Sequence, residues 1–567
     1  MYSRVAAIVG LAIALSPLVA SWSSPYIQFD QRLIPELPGP LPILTLGPHA
    51  SIPQNLLQQL VRSTDPNATL TTDSTTGDQF AYHGDNLIAF VNASSGETRV
   101  FPNLGVLEPR IQPINANLTF QYISNTNMFP VDHTNISLAK GADLAGSIAI
   151  SGHDPTPPQV FLSHFVVQRN ITVDDISYPV CGPGSKASFG FGADQNLHSL
   201  SYLWQPATFS GRSARPDSTY AIFDSIIQQL IPVSSSTNIL RVDGVDICFY
   251  DSASRHIQPV YRFSATLHAD TVDNVASAPI RILGYLPIGR DSPEPVPCIS
   301  KPSDVSTQPT FPNSTISSRT EKRQARPTVT VGRYVVRNDT YQWVINANNF
   351  LNNLQHPSSG TPVANFVDNQ YYWAYPFEFT SQKNTYINSV QIAEIEVHGN
   401  WHVFSTYSNC CDLVHLADIP PDGYGGGANG SLAYWIIHSC EVIPTPTDYA
   451  AADFHLAFDV WFSIFNGLHA VVGYRTEMWI ADSVMPTFGS LISIGAPFVP
   501  AWLQTVHDDI ADYGARLGNF YLDGNRHIIE PMGRASAVVV CGHEQDNVLR
   551  TENLGRPVCL REFWYEN

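Results

Sequence analysis

Charge is scarce in this chain. Charged side chains make up 14% of the 567 residues, and only 30 of them are Lys or Arg against 49 Asp and Glu, a formal charge of −19. Without a basic run, the chain lacks the electrostatic term that dominates binding to phosphate backbones, which excludes a nucleic-acid binder. Beyond the first fifteen residues no run is apolar and long enough to cross a bilayer, which needs about 20 residues. There is no G-x-S-x-G elbow, and the Gly-rich stretch Asp422–Gly427 lacks the Lys-Ser/Thr of a phosphate loop. What is abundant is apolar surface: 44% hydrophobic and 11% aromatic residues exclude disorder as the main state. Pro (43) exceeds Gly (36), favouring turns and extended segments over a helical bundle.

The N-terminus predicts export. Arg4 precedes an apolar run from Val5 to Leu15, then Pro17, Ala20 and Ser21, which reads as a signal peptide over residues 1–20. Eight N-x-[ST] sequons follow, at Asn67, Asn92, Asn117, Asn135, Asn170, Asn313, Asn338 and Asn429. Glycans there would solubilise a surface poor in charge. The expectation is a secreted glycoprotein with disulfides and no stable membrane insertion.

Residues 21–286 carry short runs of Val, Ile, Thr and Tyr broken by Pro, Gly, Asn and Asp, predicting a β-rich α+β region. One helix is expected over Thr219–Ile231, closed by Pro232, and a hairpin over Gly184–Phe191 and Leu200–Trp204. Residues 287–328 are Pro/Ser/Thr-rich and read as an extended linker. Its dibasic pair Lys322-Arg323 resembles a processing site, which would make the N-terminal region a propeptide that stays associated with the C-terminal half after cleavage. From 329 to 567 helices and strands alternate. Helices are expected over Thr340–Gln355, Asp453–Phe465, Thr487–Ser493 and Pro500–Asp512, and strands over Ser389–His398, Leu432–Cys440, Leu468–Tyr474 and Ala535–Cys541. Continuous apolar strands between helices predict an α/β domain with a mainly parallel sheet flanked by helices.

Two of those strands end in reactive side chains, Ile392–Val397 in His398-Gly399 and Leu432–Ile437 in His438-Ser439-Cys440. Sites in open α/β sheets lie off the carboxyl ends of strands. A thiol is a strong nucleophile once an imidazole manages its proton, and the Gly399 amide could hold an oxyanion. The pattern of an apolar strand plus His-Gly, then an apolar strand plus Ser-Cys, resembles the dyad of the caspase-like cysteine peptidases, a group with caspases, legumains and gingipains. That resemblance spans roughly residues 385–545. It implies a caspase-like fold and a cysteine peptidase or transpeptidase acting on peptide or protein substrates through Cys440, His398 and Gly399, with no cofactor. The caspase pentapeptide around the cysteine is absent.

Other constellations compete. His398 and His402 stand four apart, as helical zinc ligands do, and Glu396, His415 and His438 could complete a metal set, but Gly399 after a strand argues against a helix. His543-Glu544 opens like a zincin helix without the second His. The other cysteines are Cys181, Cys248, Cys298, Cys410, Cys411, Cys541 and Cys559, with Cys541–Cys559 the plausible local bridge. The alternatives to a peptidase are a non-catalytic secreted glycoprotein in which Cys440 is structural, and a secreted tailoring enzyme of other chemistry.

Overall fold

The computed structural model describes residues 26–566 apart from 111–113, 140, 235–237, 270–279, 300–307, 313–325, 337–340, 408–411, 427–429, 479–482 and 518–532. The signal-peptide residues and the Lys322-Arg323 pair lie outside the described residues.

In the N-terminal half the long strand Gln159–Val173 is the hub. It pairs antiparallel with Asn135–Ala139, Asp143–Ile150, Ile176–Cys181 and Lys186–Phe191. Lys186–Phe191 and Leu197–Leu203 form the expected hairpin. Asn238–Asp251 and His256–Ala269 make a second long antiparallel pair, extended by Ile280–Pro287. The helix Thr219–Leu230 starts where Ser218 accepts from the Ala221 amide, and it buries Ile222, Ile226, Ile227 and Leu230 on one stripe.

In the C-terminal half five strands run parallel, in the order Asn365–Trp373, Thr328–Val335, Ile392–Glu396, Tyr434–His438 and Ala470–Tyr474. Ile392–Glu396, Tyr434–His438 and Ala470–Tyr474 are buried at every position, as runs without alternation require. One face carries the helices Tyr341–Gln355, Val484–Ser493 and Phe498–Leu517. They meet through Phe350, Phe488 and Trp502, and Trp502 also packs against Tyr474 of the sheet. On the opposite face Trp435 is covered edge-on by Tyr424 and Phe404. Phe404 belongs to a small three-stranded sheet of Gly399–Asn400, Val403–Ser405 and Leu413–His415.

The expected fold class is corrected here. A caspase-like domain would be a self-contained, mainly parallel sheet between helical layers. This chain is strand-rich, 36% strand against 21% helix, and 23 strands join in one large mixed sheet. After the five parallel strands, Ala535–Val540 and Cys559–Tyr565 add antiparallel. Cys559–Tyr565 then pairs antiparallel with Asp143–Ile150, from Cys559↔Ile150 to Tyr565↔Leu144, so hydrogen bonding runs on into the N-terminal half. On the face opposite the three helices, the small three-stranded sheet packs with the helix Leu456–Ile464, whose Trp461 meets His402.

Buried polar contacts reinforce that junction. Arg99 Nη1 lies 2.8 Å from Asp508 Oδ2 with both side chains almost fully enclosed. Gln504 Nε2 donates to the carbonyls of Val100 and Leu200, at 3.2 and 3.0 Å. His507 Nδ1 meets Ser188 Oγ at 3.2 Å. The segment expected to be an extended linker is tied to the fold at several points: the Ile288 carbonyl accepts from the Asp217 amide, Glu294 Oε1 accepts from the Arg255 amide, and Thr310 bridges Tyr372. Among the described residues two disulfides are present, Cys181–Cys248 and the anticipated Cys541–Cys559. Among the described residues no helix is long and apolar enough to cross a membrane.

Candidate active site

The parallel pair Ile392–Glu396 and Tyr434–His438 is in register from Ile392↔Tyr434 to Glu396↔His438, an offset of 42 residues. Because side chains alternate, Glu394, Glu396 and His438 share the face beneath the helix Tyr341–Gln355. The register ends at Glu396↔His438, and His398 and Cys440 each follow two residues beyond those strand ends, at the carboxyl rim. Contacts beyond the strands keep the two chains together there: the Val397 amide approaches the His438 carbonyl at 3.4 Å and the His402 amide approaches the Val442 carbonyl at 3.4 Å. The structure thus brings the two predicted reactive residues to neighbouring strand ends.

Gly399 has a steric reason to be glycine. A Cβ there would strike Ser439 Oγ and Val442 Cγ2 and lie 2.7 Å from the Cys440 carbonyl. The Ser405 amide donates to the His398 carbonyl at 2.8 Å, which makes 398/405 the hydrogen-bonded pair of the hairpin. Gly399↔Phe404 is then a non-hydrogen-bonded pair, so the hairpin does not use the Gly399 amide.

Both reactive side chains are enclosed, Cys440 being 5% and His398 3% exposed. The His398 ring meets Trp343 of the overlying helix edge-on, with centroids 5.3 Å apart. Cys440 carries a thiol, and the Met478 amide approaches its Sγ at 3.4 Å. Glu441 takes a left-handed φ of 53°, turning the chain sharply after Cys440.

Behind the rim runs a buried polar line that the sequence reading named only in part, as completion for a metal set. His438 Nδ1 lies 2.9 Å from Glu396 Oε2, with both side chains fully enclosed. Asn346 Nδ2 donates to the same oxygen at 3.3 Å. Burial pushes the Glu394 carboxyl well above its ordinary range, and the neighbouring Glu396 pushes it further. Arg333, opposite Glu394 in register, spends its guanidinium elsewhere: Nη2 bonds Asp368 Oδ2 at 2.8 Å, Nη1 bonds Asn348 Oδ1 at 2.8 Å, and the group stacks 3.7 Å over the Tyr371 ring. The sequence signal was Glu394-x-Glu396 in an otherwise apolar strand. Two acids on one face of a buried strand demand partners.

The alternative metal set does not assemble. His415 is exposed on the small sheet. His402 instead faces Trp461 edge-on, and burial lowers its pKa to about 4. Of the sequons, Asn67 and Asn135 are exposed. Asn170 is half-buried, its amide donating to Ser137 Oγ at 3.0 Å. Asn92 is a correction: it is buried, its amide donates to Ser359 Oγ at 2.6 Å, and its Oδ1 accepts from the amides of Ser94 and Ser95, which leaves no space for a glycan. The side chain of Asn117, and Asn313, Asn338 and Asn429, lie outside the described residues.

A family model described as "Domain of unknown function (DUF6345)" matches residues 329–524. That span contains the rim with His398 and Cys440 and stops before the last two strands of the C-terminal half. Among curated proteins none matches. A solved structure of an uncharacterized protein from Eubacterium rectale is similar at 9% identity, over 46% of this chain and 87% of that one, with a TM-score of 0.28.

Proposed function

We propose that this is a secreted cysteine-dependent enzyme that hydrolyses or transfers acyl groups at peptide bonds. Cys440 Sγ attacks the carbonyl carbon, and the C–N bond breaks as His398 delivers to the amine the proton it took from the thiol. Water or a second amine then attacks the thioester and returns Cys440 to its thiol. The Gly399 amide holds the oxyanion, and the Glu394–Glu396–His438 line fixes the strand ends from below. The observation that supports this most is the parallel register of Ile392–Glu396 with Tyr434–His438, whose carboxyl ends lead into His398 and Cys440. The signal peptide, the sequons and two disulfides support secretion.

A second reading rests on the enclosure of both side chains: Cys440 is a buried structural thiol in a non-catalytic secreted protein. Alkylation separates the two, with exposed Cys298 as an internal reference. In folded full-length protein a peptidyl thiol-directed probe should label Cys440 faster than Cys298, and His398→Ala should slow that labelling without unfolding the chain. Labelling of Cys440 only after denaturation, with Cys440→Ala unchanged in every assay, selects the structural reading.

A further inference from the structure

At the other end of the C-terminal sheet, three side chains outside this rim converge on one point. His469 precedes the strand Ala470–Tyr474. His543 and Asp546 lie in the turn after Ala535–Val540, which pairs antiparallel with that strand and returns its own end to His469. His469 Nδ1 lies 2.6 Å and His543 Nδ1 2.7 Å from the same oxygen, Asp546 Oδ2. The three ligand atoms lie within 4.8 Å of one another.

Hydrogen-bond accounting makes the cluster unusual. His469 Nε2 lies 2.7 Å from the Glu552 carbonyl, which can only accept. That bond therefore uses an N–H, and a neutral imidazole has no second one. His469 Nδ1 faces Asp546 Oδ2 at 2.6 Å, so in the absence of an ion that contact holds a proton, and a metal ion bound to both atoms would take the proton's place. His543 Nδ1 aims at the same oxygen and can join them. A ring nitrogen donating to a backbone carbonyl while the other faces a metal is the usual outer-shell arrangement of a ligating histidine.

We infer that His469 Nδ1, His543 Nδ1 and Asp546 Oδ2 bind one divalent transition-metal ion of the zinc class. Two imidazoles and one carboxylate suit such an ion and leave a coordination position for water. The His543 and Asp546 side chains are 31% and 17% exposed, which gives the ion an entry path. With bonds of about 2.0–2.1 Å, a tetrahedral site needs its ligand atoms about 3.3 Å apart, a small side-chain rotation from their present spacing. Binding displaces the Nδ1 proton of His469 to solvent. The ion would fasten a turn that also holds the two halves together, since Asn547 Nδ2 donates to the Asp85 carbonyl at 2.6 Å.

The test uses full-length, tag-free protein stripped with chelator and titrated with Zn(II), then with Co(II) for its visible spectrum. One equivalent should bind, raise the thermal midpoint and give a low-symmetry Co(II) absorption. His543→Ala, at the most exposed ligand, should weaken binding about tenfold or more while leaving the circular dichroism unchanged. If Asp546→Asn does not fold, His543→Ala alone carries the comparison. Absence of saturable uptake by folded wild type, or uptake that His543→Ala leaves unchanged, overturns the assignment and leaves a charged His–Asp cluster.

Discussion

The ion pair between Arg99 and Asp508 ties the first half of the chain to the helix Phe498–Leu517, and its removal has a calculable effect. Burial alone would raise the Asp508 pKa, but the Arg99 guanidinium at 2.8 Å, together with His507 and the Lys186 charge, more than offsets it and holds the group at about 2 against an ordinary 3.8. A depression of that size corresponds to roughly 2 kcal/mol of stability at neutral pH. Since the folded value lies below the unfolded one, that contribution is complete above about pH 4 and disappears as pH falls towards 2. Asp508→Asn should therefore cost about 2–3 kcal/mol at pH 7. That is the low end for a broken buried pair, because Glu97 Oε1 remains 2.8 Å from Arg99 Nε. Arg99→Met should cost more, because it leaves Asp508 enclosed with no neighbouring guanidinium. Urea denaturation of wild type and Asp508→Asn at pH 7, 5 and 3 measures the difference, which should shrink as pH falls. A difference below about 0.5 kcal/mol at pH 7, or one that stays constant down to pH 2.5, would refute the reasoning.

Three further outcomes follow from the same contacts. Glu394→Gln should gain stability relative to wild type as pH rises above about 4.5, because burial and Glu396 disfavour the charged carboxylate in the folded wild type. Glu396→Gln should instead cost about 3 kcal/mol by taking the carboxylate from His438, and equal effects of the two substitutions in urea melts would contradict the assignment. Gly399→Ala should lower the thermal midpoint through about 1–3 kcal/mol of overpacking against Ser439 and Val442, and an unchanged midpoint would mean that the rim gives way easily. Glycopeptide mapping of secreted protein should find Asn67 and Asn135 occupied and Asn92 bare, and a glycan on Asn92 would show that its bond to Ser359 does not form.

Local chemistry was legible in the sequence, and long-range pairing was not. The helix at Thr219–Leu230 could be read because an apolar stripe and a Pro stop fall within fifteen residues. The 42-residue offset between Ile392–Glu396 and Tyr434–His438 became an in-register parallel pair because both runs are largely apolar and suit a strand buried on both faces. The Cys541–Cys559 bridge spans 18 residues and was anticipated, whereas Cys181–Cys248 spans 67 and was left open. The pairing of Cys559–Tyr565 with Asp143–Ile150 joins segments more than 400 residues apart, and nothing in either run names its partner. Burial of Asn92 has the same origin, since a sequon is local and the Ser359 that covers it comes from the other half. His543-Glu544 was weighed only for a helical repeat three residues on. Its partner His469 lies across an antiparallel pair, where sequence spacing is no guide.

The shared sheet changes what cleavage at Lys322-Arg323 could do. A propeptide that leaves after processing must give up a limited, solvent-accessible interface. Here departure of the N-terminal half would strip Cys559–Tyr565 of its neighbour along seven residue pairs and expose the backbone edge of a strand whose Leu560, Phe563, Trp564 and Tyr565 are buried. It would also leave Asp508 and Gln504 without their partners across the junction. A cut in the linker removes one covalent connection and none of these contacts, so the nicked halves should remain one particle. The N-terminal half then remains the neighbour of Cys559–Tyr565 in the shared sheet.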